Sequence, residues 1–233
     1  MTASPVCTFD GTHWVPGLLA AEMEKTSHEN GGGMGLQMSL SLLRPTPMEP
    51  VTISVRTLRQ GRRSLQLSAE LVADGKICAV ASALFLTSEM LPFVEEEPAE
   101  RVPVSGKDFH VGRRMGQPWF ADACEMRREE GGRIWMRHIN PVVDGMGPLT
   151  RVLSLADWAT GLSRPDWVDG EKVVFPNPEI SIHLHRPPAG AWLGVDSQPF
   201  WNASGLGITA SDLYDEAGYL GRATQPVVLA VMK

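Results

Sequence analysis

The sequence predicts an α+β protein built from a duplicated unit, one helix followed by antiparallel strands, and three observations carry that reading. The run Ser39-Leu40-Ser41-Leu42-Leu43-Arg44-Pro45 returns in the second half as Ser181-Ile182-His183-Leu184-His185-Arg186-Pro187. Both copies are aliphatic at alternate positions, as a half-buried strand requires, and both are closed by Arg-Pro. A helical pattern lies upstream of each copy. Downstream of each, β-rich runs are broken by a glycine turn: Asp74-Gly75 in the first half, Asp215-Glu216-Ala217-Gly218 in the second.

The elements follow in order. Residues 5–9 read as a short strand, and Asp10-Gly11-Thr12 offers cap chemistry for a helix with Pro16 in its first turn. That helix is expected over residues 14–26, and Asn30-Gly31-Gly32-Gly33 ends it, because glycine accepts dihedrals that other residues do not. Four antiparallel strands are expected at 36–43, 51–59, 64–72 and 77–86, each set off by proline or glycine. The stretch 89–106, with Glu95-Glu96-Glu97-Pro98-Ala99-Glu100 and Pro103, has little to bury. The expected division is therefore an N-terminal unit at 1–88, a linker at 89–107 and a C-terminal unit at 108–233.

In the second unit, residues 119–128 and 134–139 flank a Glu129-Glu130-Gly131-Gly132 hairpin turn. Asp144-Gly145-Met146-Gly147-Pro148 leads into a second helix at 149–162. There Leu149, Val152, Leu153 and Ala156, with Ala159 or Thr160, share one apolar face, and Asp157 stands on its border. The Ile180 to Arg186 strand stops at Pro187-Pro188. Two more strand runs follow across the 215–218 turn, and the last contains Gln225.

Composition excludes several classes. A chain of 233 residues that is 43% hydrophobic can bury a core. The net charge of −6 is spread along the chain with no basic stripe, which argues against nucleic acid as a partner. Cys7, Cys78 and Cys124 are odd in number and far apart, so neither a disulfide framework nor a zinc knuckle is indicated. The N-terminus lacks a basic, then apolar, leader pattern, and no run reaches the roughly 18 apolar residues of a membrane span. A cytoplasmic protein is expected. His183 and His185 have no third ligand at useful spacing, so no metal is expected. Gly205-Leu206-Gly207 has no helix opening after it and is not a dinucleotide fingerprint.

Three segments carry a family resemblance: residues 176–188, the Gly205-Leu206-Gly207 to Glu216 stretch, and Gly221-Arg222-Ala223-Thr224-Gln225. They resemble the acyl-CoA thioesterase II type of double hot-dog protein, most clearly toward the C-terminus and more weakly, but in register, from His13 to Leu86. The resemblance implies two tandem antiparallel sheets, each wrapped around a central helix, and hydrolysis of acyl-CoA or related acyl thioesters without a cofactor. It also implies a site of one Asp, one Ser or Thr and one Gln that hold and activate a water. Asp157 matches the Asp and Gln225 the Gln, whereas the hydroxyl position falls on Asn177. An amide can hold a water but cannot relay a proton as a hydroxyl does. Ser181, at even spacing from Asn177, is a second hydroxyl candidate. His13, Trp14, Trp158 and Ser181 are expected to contact substrate. Ser82 occupies about the place in the first repeat that Gln225 occupies in the second, which implies one working site per chain.

Elementary chemistry agrees. Thioester hydrolysis needs a base, an oriented water and donors for the oxyanion. Asp157 can be the base and Gln225 can orient the water, while backbone N–H groups at 11–15 or 147–149 are candidate oxyanion donors. No nucleophile elbow is present or needed. The alternative is a catalytically inactive acyl-thioester binding or scaffold protein, to which Asn177 points. A dehydratase would call for a paired His and acid that the sequence does not place. Apolar residues on outward strand faces and the abundance of tryptophan predict a homo-oligomer.

Overall fold

The computed structural model describes residues 15–47, 50–95, 100–111, 120–163, 173–174 and 176–231. The described residues begin with a helix, α1 (Val15–Glu29), which buries Val15, Leu18, Leu19 and Met23 along one face. Gly31, at φ +63, turns the chain out of the helix, and the Gly32 N–H bonds back to the Ser27 carbonyl at 2.8 Å. The expected strand at 5–9, the cap at 10–12, and His13 and Trp14 lie outside the described residues.

Four strands follow, β1 (Met34–Leu42), β2 (Thr52–Gln60), β3 (Ser64–Ala73) and β4 (Lys76–Leu86). After β5 (Lys107–Asp108) a 3-10 turn, Phe120–Ala123, leads into the hairpin of β6 (Cys124–Arg128) and β7 (Ile134–His138). Two helical pieces come next, α2 (Pro148–Ala156) and α3 (Ala159–Leu162), then β8 (Val173–Val174), β9 (Glu179–Leu184), β10 (Leu193–Trp201), β11 (Leu206–Asp215), β12 (Gly218–Val228) and β13 (Ala230–Val231).

Eleven of the strands form one sheet in the order β2-β3-β4-β1-β9-β12-β11-β10-β7-β6-β5, and every pairing is antiparallel. The fold is the α+β double hot-dog, and its two antiparallel sheets run into each other through β1 and β9. The register at that seam sets Ser39 opposite Ser181, with their hydroxyl oxygens 2.7 Å apart. One shift of 142 residues carries Ser64–Ala73 onto Leu206–Asp215 and Lys76–Leu86 onto Gly218–Val228. The same shift carries Ser39 onto Ser181, so the two serines meet on the axis relating the halves.

The shift also corrects one expectation. The counterpart of Gln225 is Ala83 rather than Ser82: Leu67 stands opposite Ala83 as Thr209 stands opposite Gln225. Ser82 points to the other face of β4, in register with Ser39 and Ser68.

The helix expected over 149–162 is interrupted at Asp157 and Trp158. Both residues keep right-handed dihedrals, but the Trp158 N–H bonds the Leu155 carbonyl at 3.2 Å, a tighter turn, before α3 resumes. The start of α2 is held from outside its own sequence. Glu24 on α1 accepts the Leu149 N–H at 2.8 Å, the Thr150 N–H at 3.0 Å and the Thr150 hydroxyl at 2.5 Å. A carboxylate at that end also complements the helix dipole.

β10 is a strand the sequence reading did not name, and it contains Pro199. β10 pairs with β7 only over Leu193 to Val195, so Pro199 sits where its missing N–H has no strand to face. The Arg-Pro motif closes β1 in the first half and β9 in the second. Arg186 forms a two-pronged pair with Asp215, at 2.7 and 2.6 Å, and bonds the Gly218 carbonyl at 3.0 Å, tying the end of β9 to the β11–β12 turn. In the first half Arg44 reaches the Ile77 carbonyl just past the β3–β4 turn, and Ala73 occupies the place of Asp215.

Candidate active site

Three elements that are distant in sequence deliver Asp157, Asn177 and Gln225 to one place. Asp157 sits at the break between α2 and α3, at 2% exposure. Asn177 lies in the two-residue approach to β9, half-buried, and donates from Nδ2 to Asp157 Oδ1 at 2.9 Å. Gln225 on β12 is fully buried. Its Nε2 donates to the Asp157 backbone carbonyl at 3.0 Å, with the carboxylate Oδ1 at 3.5 Å.

Local structure explains why they meet. Pro226 has no N–H to give, and β12 stops pairing with β9 at Thr224, so the two strands part where Asn177 enters. On the opposite side, the helix break turns the Asp157 carbonyl toward the sheet, where Gln225 takes it up.

Two further buried hydroxyls lie on the elements that carry these residues or beside them. Thr209 on β11 is directly opposite Gln225 and fully buried. Thr160, one turn after Asp157, is 4% exposed. Thr209 Oγ1, Thr160 Oγ1 and Gln225 Oε1 have no hydrogen-bond partner among the described residues. Such atoms each cost roughly 1–3 kcal/mol of desolvation unless something else supplies the bond.

The first half provides an internal comparison. Under the 142-residue shift that relates the strands, Gly35, Leu67 and Ala83 stand where Asn177, Thr209 and Gln225 stand in the second half. Leu67 and Ala83 are buried hydrocarbon, and a Cβ on Gly35 would lie 2.7 Å from Leu149 Cδ2, so that space is filled by α2. The strands of the first half are therefore satisfied by apolar residues at these places. Sequence reasoning missed Thr160 and Thr209. Comparing the two repeats position by position, a polar residue against a buried aliphatic one, is the signal that finds Thr209.

The remaining expected residues are placed as follows. Ser181 does not join the site. Asn177 precedes β9, so strand alternation does not extend to it, and Ser181 faces outward, bonded to Ser39 and Glu179. Trp158 is 4% exposed and packs in the core immediately after Asp157. Of the expected donors at 147–149, Pro148 has no N–H and the Leu149 N–H is already taken by Glu24. No group of three or more His, Cys, Asp or Glu that could hold a metal occurs among the described residues.

One helical turn before Asp157, Ser154 bonds His138 Nε2 at 2.7 Å, and Cys124 Sγ lies 3.9 Å from the other ring nitrogen. Burial, reinforced by the nearby Arg151 charge, lowers the His138 pKa to about 4. The imidazole is thus neutral near pH 7 and does not add a charge beside the site.

Comparison with protein families finds two adjoining matches: an acyl-CoA thioesterase N-terminal domain over residues 14–86 and an acyl-CoA thioesterase C-terminal domain over residues 92–229. A comparison with curated proteins finds no match. Among solved structures the chain is similar to a conserved protein of unknown function with hot dog fold from Alicyclobacillus acidocaldarius. The two share 18% identity and a TM-score of 0.68, over 93% of this chain and 87% of that one. It is also similar to the acyl-CoA thioesterase II TesB2 of Mycobacterium marinum, at 15% identity and TM-score 0.63, covering 86% and 82%. A third is the tesB protein of Mycobacterium avium subs paratuberculosis, at 15% identity and TM-score 0.62, covering 91% and 85%. At these identities the structural likeness speaks to the fold.

Proposed function

The chain belongs to the acyl-CoA thioesterase family, and on that premise we propose that it hydrolyses acyl-CoA or a closely related acyl thioester with a water activated by Asp157. The observation that carries the proposal is the convergence of Asp157, Asn177 and Gln225 beside a buried Gln225 oxygen that has no partner among the described residues.

The chemistry follows from those groups. The Asp157 carboxylate takes a proton from a water, and the oxygen attacks the thioester carbonyl carbon to give a tetrahedral oxyanion. The intermediate collapses by breaking the C–S bond. The proton on Asp157 then passes to the departing thiolate, leaving free acid, free thiol and the original carboxylate. Asn177 fixes one carboxylate oxygen, and Gln225 Oε1 accepts the second proton of the water. Because Gln225 is itself held by the Asp157 carbonyl, base and water stay in one orientation without reorganisation during the reaction.

The test is release of free CoA thiol over acyl-CoAs of varied chain length, with Asp157→Asn alongside. Wild-type turnover that falls roughly 10²-fold or more in Asp157→Asn, with KM little changed, is the expected result. Hydrolysis indifferent to Asp157 would place the chemistry elsewhere. Wild-type binding of acyl-CoA by calorimetry without hydrolysis would favour the second reading, an inactive acyl-thioester binder, which Asn177 in the hydroxyl position supports.

The same proposal includes self-association. Phe200, Leu206, Ile208 and Val228 are exposed on the outer face, where Phe200 is opposite Ile208 and Leu206 opposite Val228. An apolar group of this kind favours contact with a second copy. Light scattering is expected to give at least twice the 25.4 kDa chain mass at micromolar concentration, and a mass of one chain would remove this part.

A further inference from the structure

We infer that Thr209 is a fourth member of the site, holding the attacking water through its hydroxyl; the assignment rests on the hydrolysis proposed above. An attacking water has two protons and two lone pairs. One lone pair forms the new bond to carbon, so the water is fully held when two acceptors take its protons and one donor binds its other lone pair. Asp157 and Gln225 Oε1 are the acceptors. Asn177 directs its amide to Asp157 Oδ1. Thr160 and Thr209 each carry a buried hydroxyl without a partner among the described residues, and Thr209 is the one set directly opposite Gln225, so the donor assigned here is the Thr209 hydroxyl.

Geometry places it there. Thr209 and Gln225 are directly paired residues of β11 and β12, both 0% exposed, on the face that turns toward Asp157. Side chains so paired have Cβ atoms about 4.5–5.5 Å apart, so hydroxyl and amide oxygen flank one small space. Neither Thr209 Oγ1 nor Gln225 Oε1 has a partner among the described residues, and the two do not bond each other. A buried water settles where it finds about three polar partners. Asp157, Gln225 and Thr209 make three.

The internal comparison removes the structural explanation. Leu67 and Ala83 occupy the equivalent paired positions in the first half, both 0% exposed. A hydroxyl is not needed there to pack a strand against its helix. It also answers the departure at Asn177: a hydroxyl is present in the site, delivered by β11 instead of by the approach to β9.

The experiment compares Thr209→Val, which keeps the shape and removes the hydroxyl, with Thr209→Ser, which keeps the hydroxyl, in the full chain. Turnover, KM and Tm are measured with an acyl-CoA that the wild type hydrolyses. Thr209→Val is expected to lower kcat about tenfold or more with KM within about twofold, and Thr209→Ser to stay within about threefold of wild type. Tm is expected to hold or rise in Thr209→Val, because an unpartnered buried hydroxyl is being replaced by a methyl. A merely structural threonine would give the reverse pattern, a lower Tm and a loss of activity that Thr209→Ser shares, and would overturn the assignment. Asp157-dependent hydrolysis with a Thr209→Val kcat within about twofold of wild type would overturn this assignment alone. Absence of any Asp157-dependent hydrolysis in the wild type would overturn the proposed function and this assignment together.

Discussion

Asn177 donates its side-chain amide to Oδ1 of Asp157 at 2.9 Å, joining the approach to β9 to a break in the helix that lies 20 residues earlier. The amide stands at the position where the resemblance implies a hydroxyl, and it engages the carboxylate directly. In the proposed mechanism that bond orients the base, and Gln225 Oε1 is the second acceptor for water.

Substitution at Asn177 therefore separates orientation from proton relay. Asn177→Leu is expected to lower turnover by about tenfold or more, because one carboxylate oxygen loses its fixed donor. Asn177→Thr is expected to retain or raise turnover, since a hydroxyl can both donate to Asp157 and accept from water. Thiol release measures both, with Ser181→Ala as the outward-facing control that stays within about twofold. A Thr variant as inactive as the Leu variant would refute the orienting role.

Arg186 and Arg44 occupy equivalent places in very different surroundings. Arg186 is paired with Asp215, which is 1% exposed, whereas Arg44 is exposed and bonds a single carbonyl. Arg186→Met is expected to cost roughly 3–5 kcal/mol by leaving buried Asp215 without its two-pronged partner. Arg44→Met is expected to cost under about 1 kcal/mol. Arg186→Lys recovers only part of the loss, because an ammonium cannot bridge both carboxylate oxygens. Urea denaturation of the three variants gives the comparison, and equal costs at the two arginines would contradict it.

His138 predicts an acid limb in stability. Burial lowers its folded pKa to about 4, whereas an unfolded histidine titrates near 6.5, so between those values the unfolded chain binds more protons. This contribution is complete above about pH 6.5, is lost as pH falls toward 4, and amounts to on the order of 3 kcal/mol. Thermal melts across that range are expected to fall more steeply for wild type than for His138→Gln. Parallel curves would mean that the imidazole accepts its proton without leaving Ser154.

The sequence by itself determined the repeated unit, because alternation and Arg-Pro punctuation are local signals. Strand runs such as Ser64–Ala73 and the stop of α1 at Gly31 follow from the pleat and from backbone freedom. Asp157, Asn177 and Gln225 were legible only through resemblance, since an isolated Asp, Asn or Gln carries no pattern. What tertiary structure decided is everything that depends on register between distant segments. Ser82 and Ala83 differ by one place, and only pairing to β3 assigns Ala83 to the face that Gln225 occupies in the other half. Likewise Ser181 is lost from the site because β9 begins at Glu179, after Asn177 has already turned toward Asp157. Thr209 enters the proposed site because β11 sets it against Gln225. Pairing of that kind is fixed by long-range hydrogen bonds and by burial of a whole strand face, neither of which is written in the neighbours of any one residue.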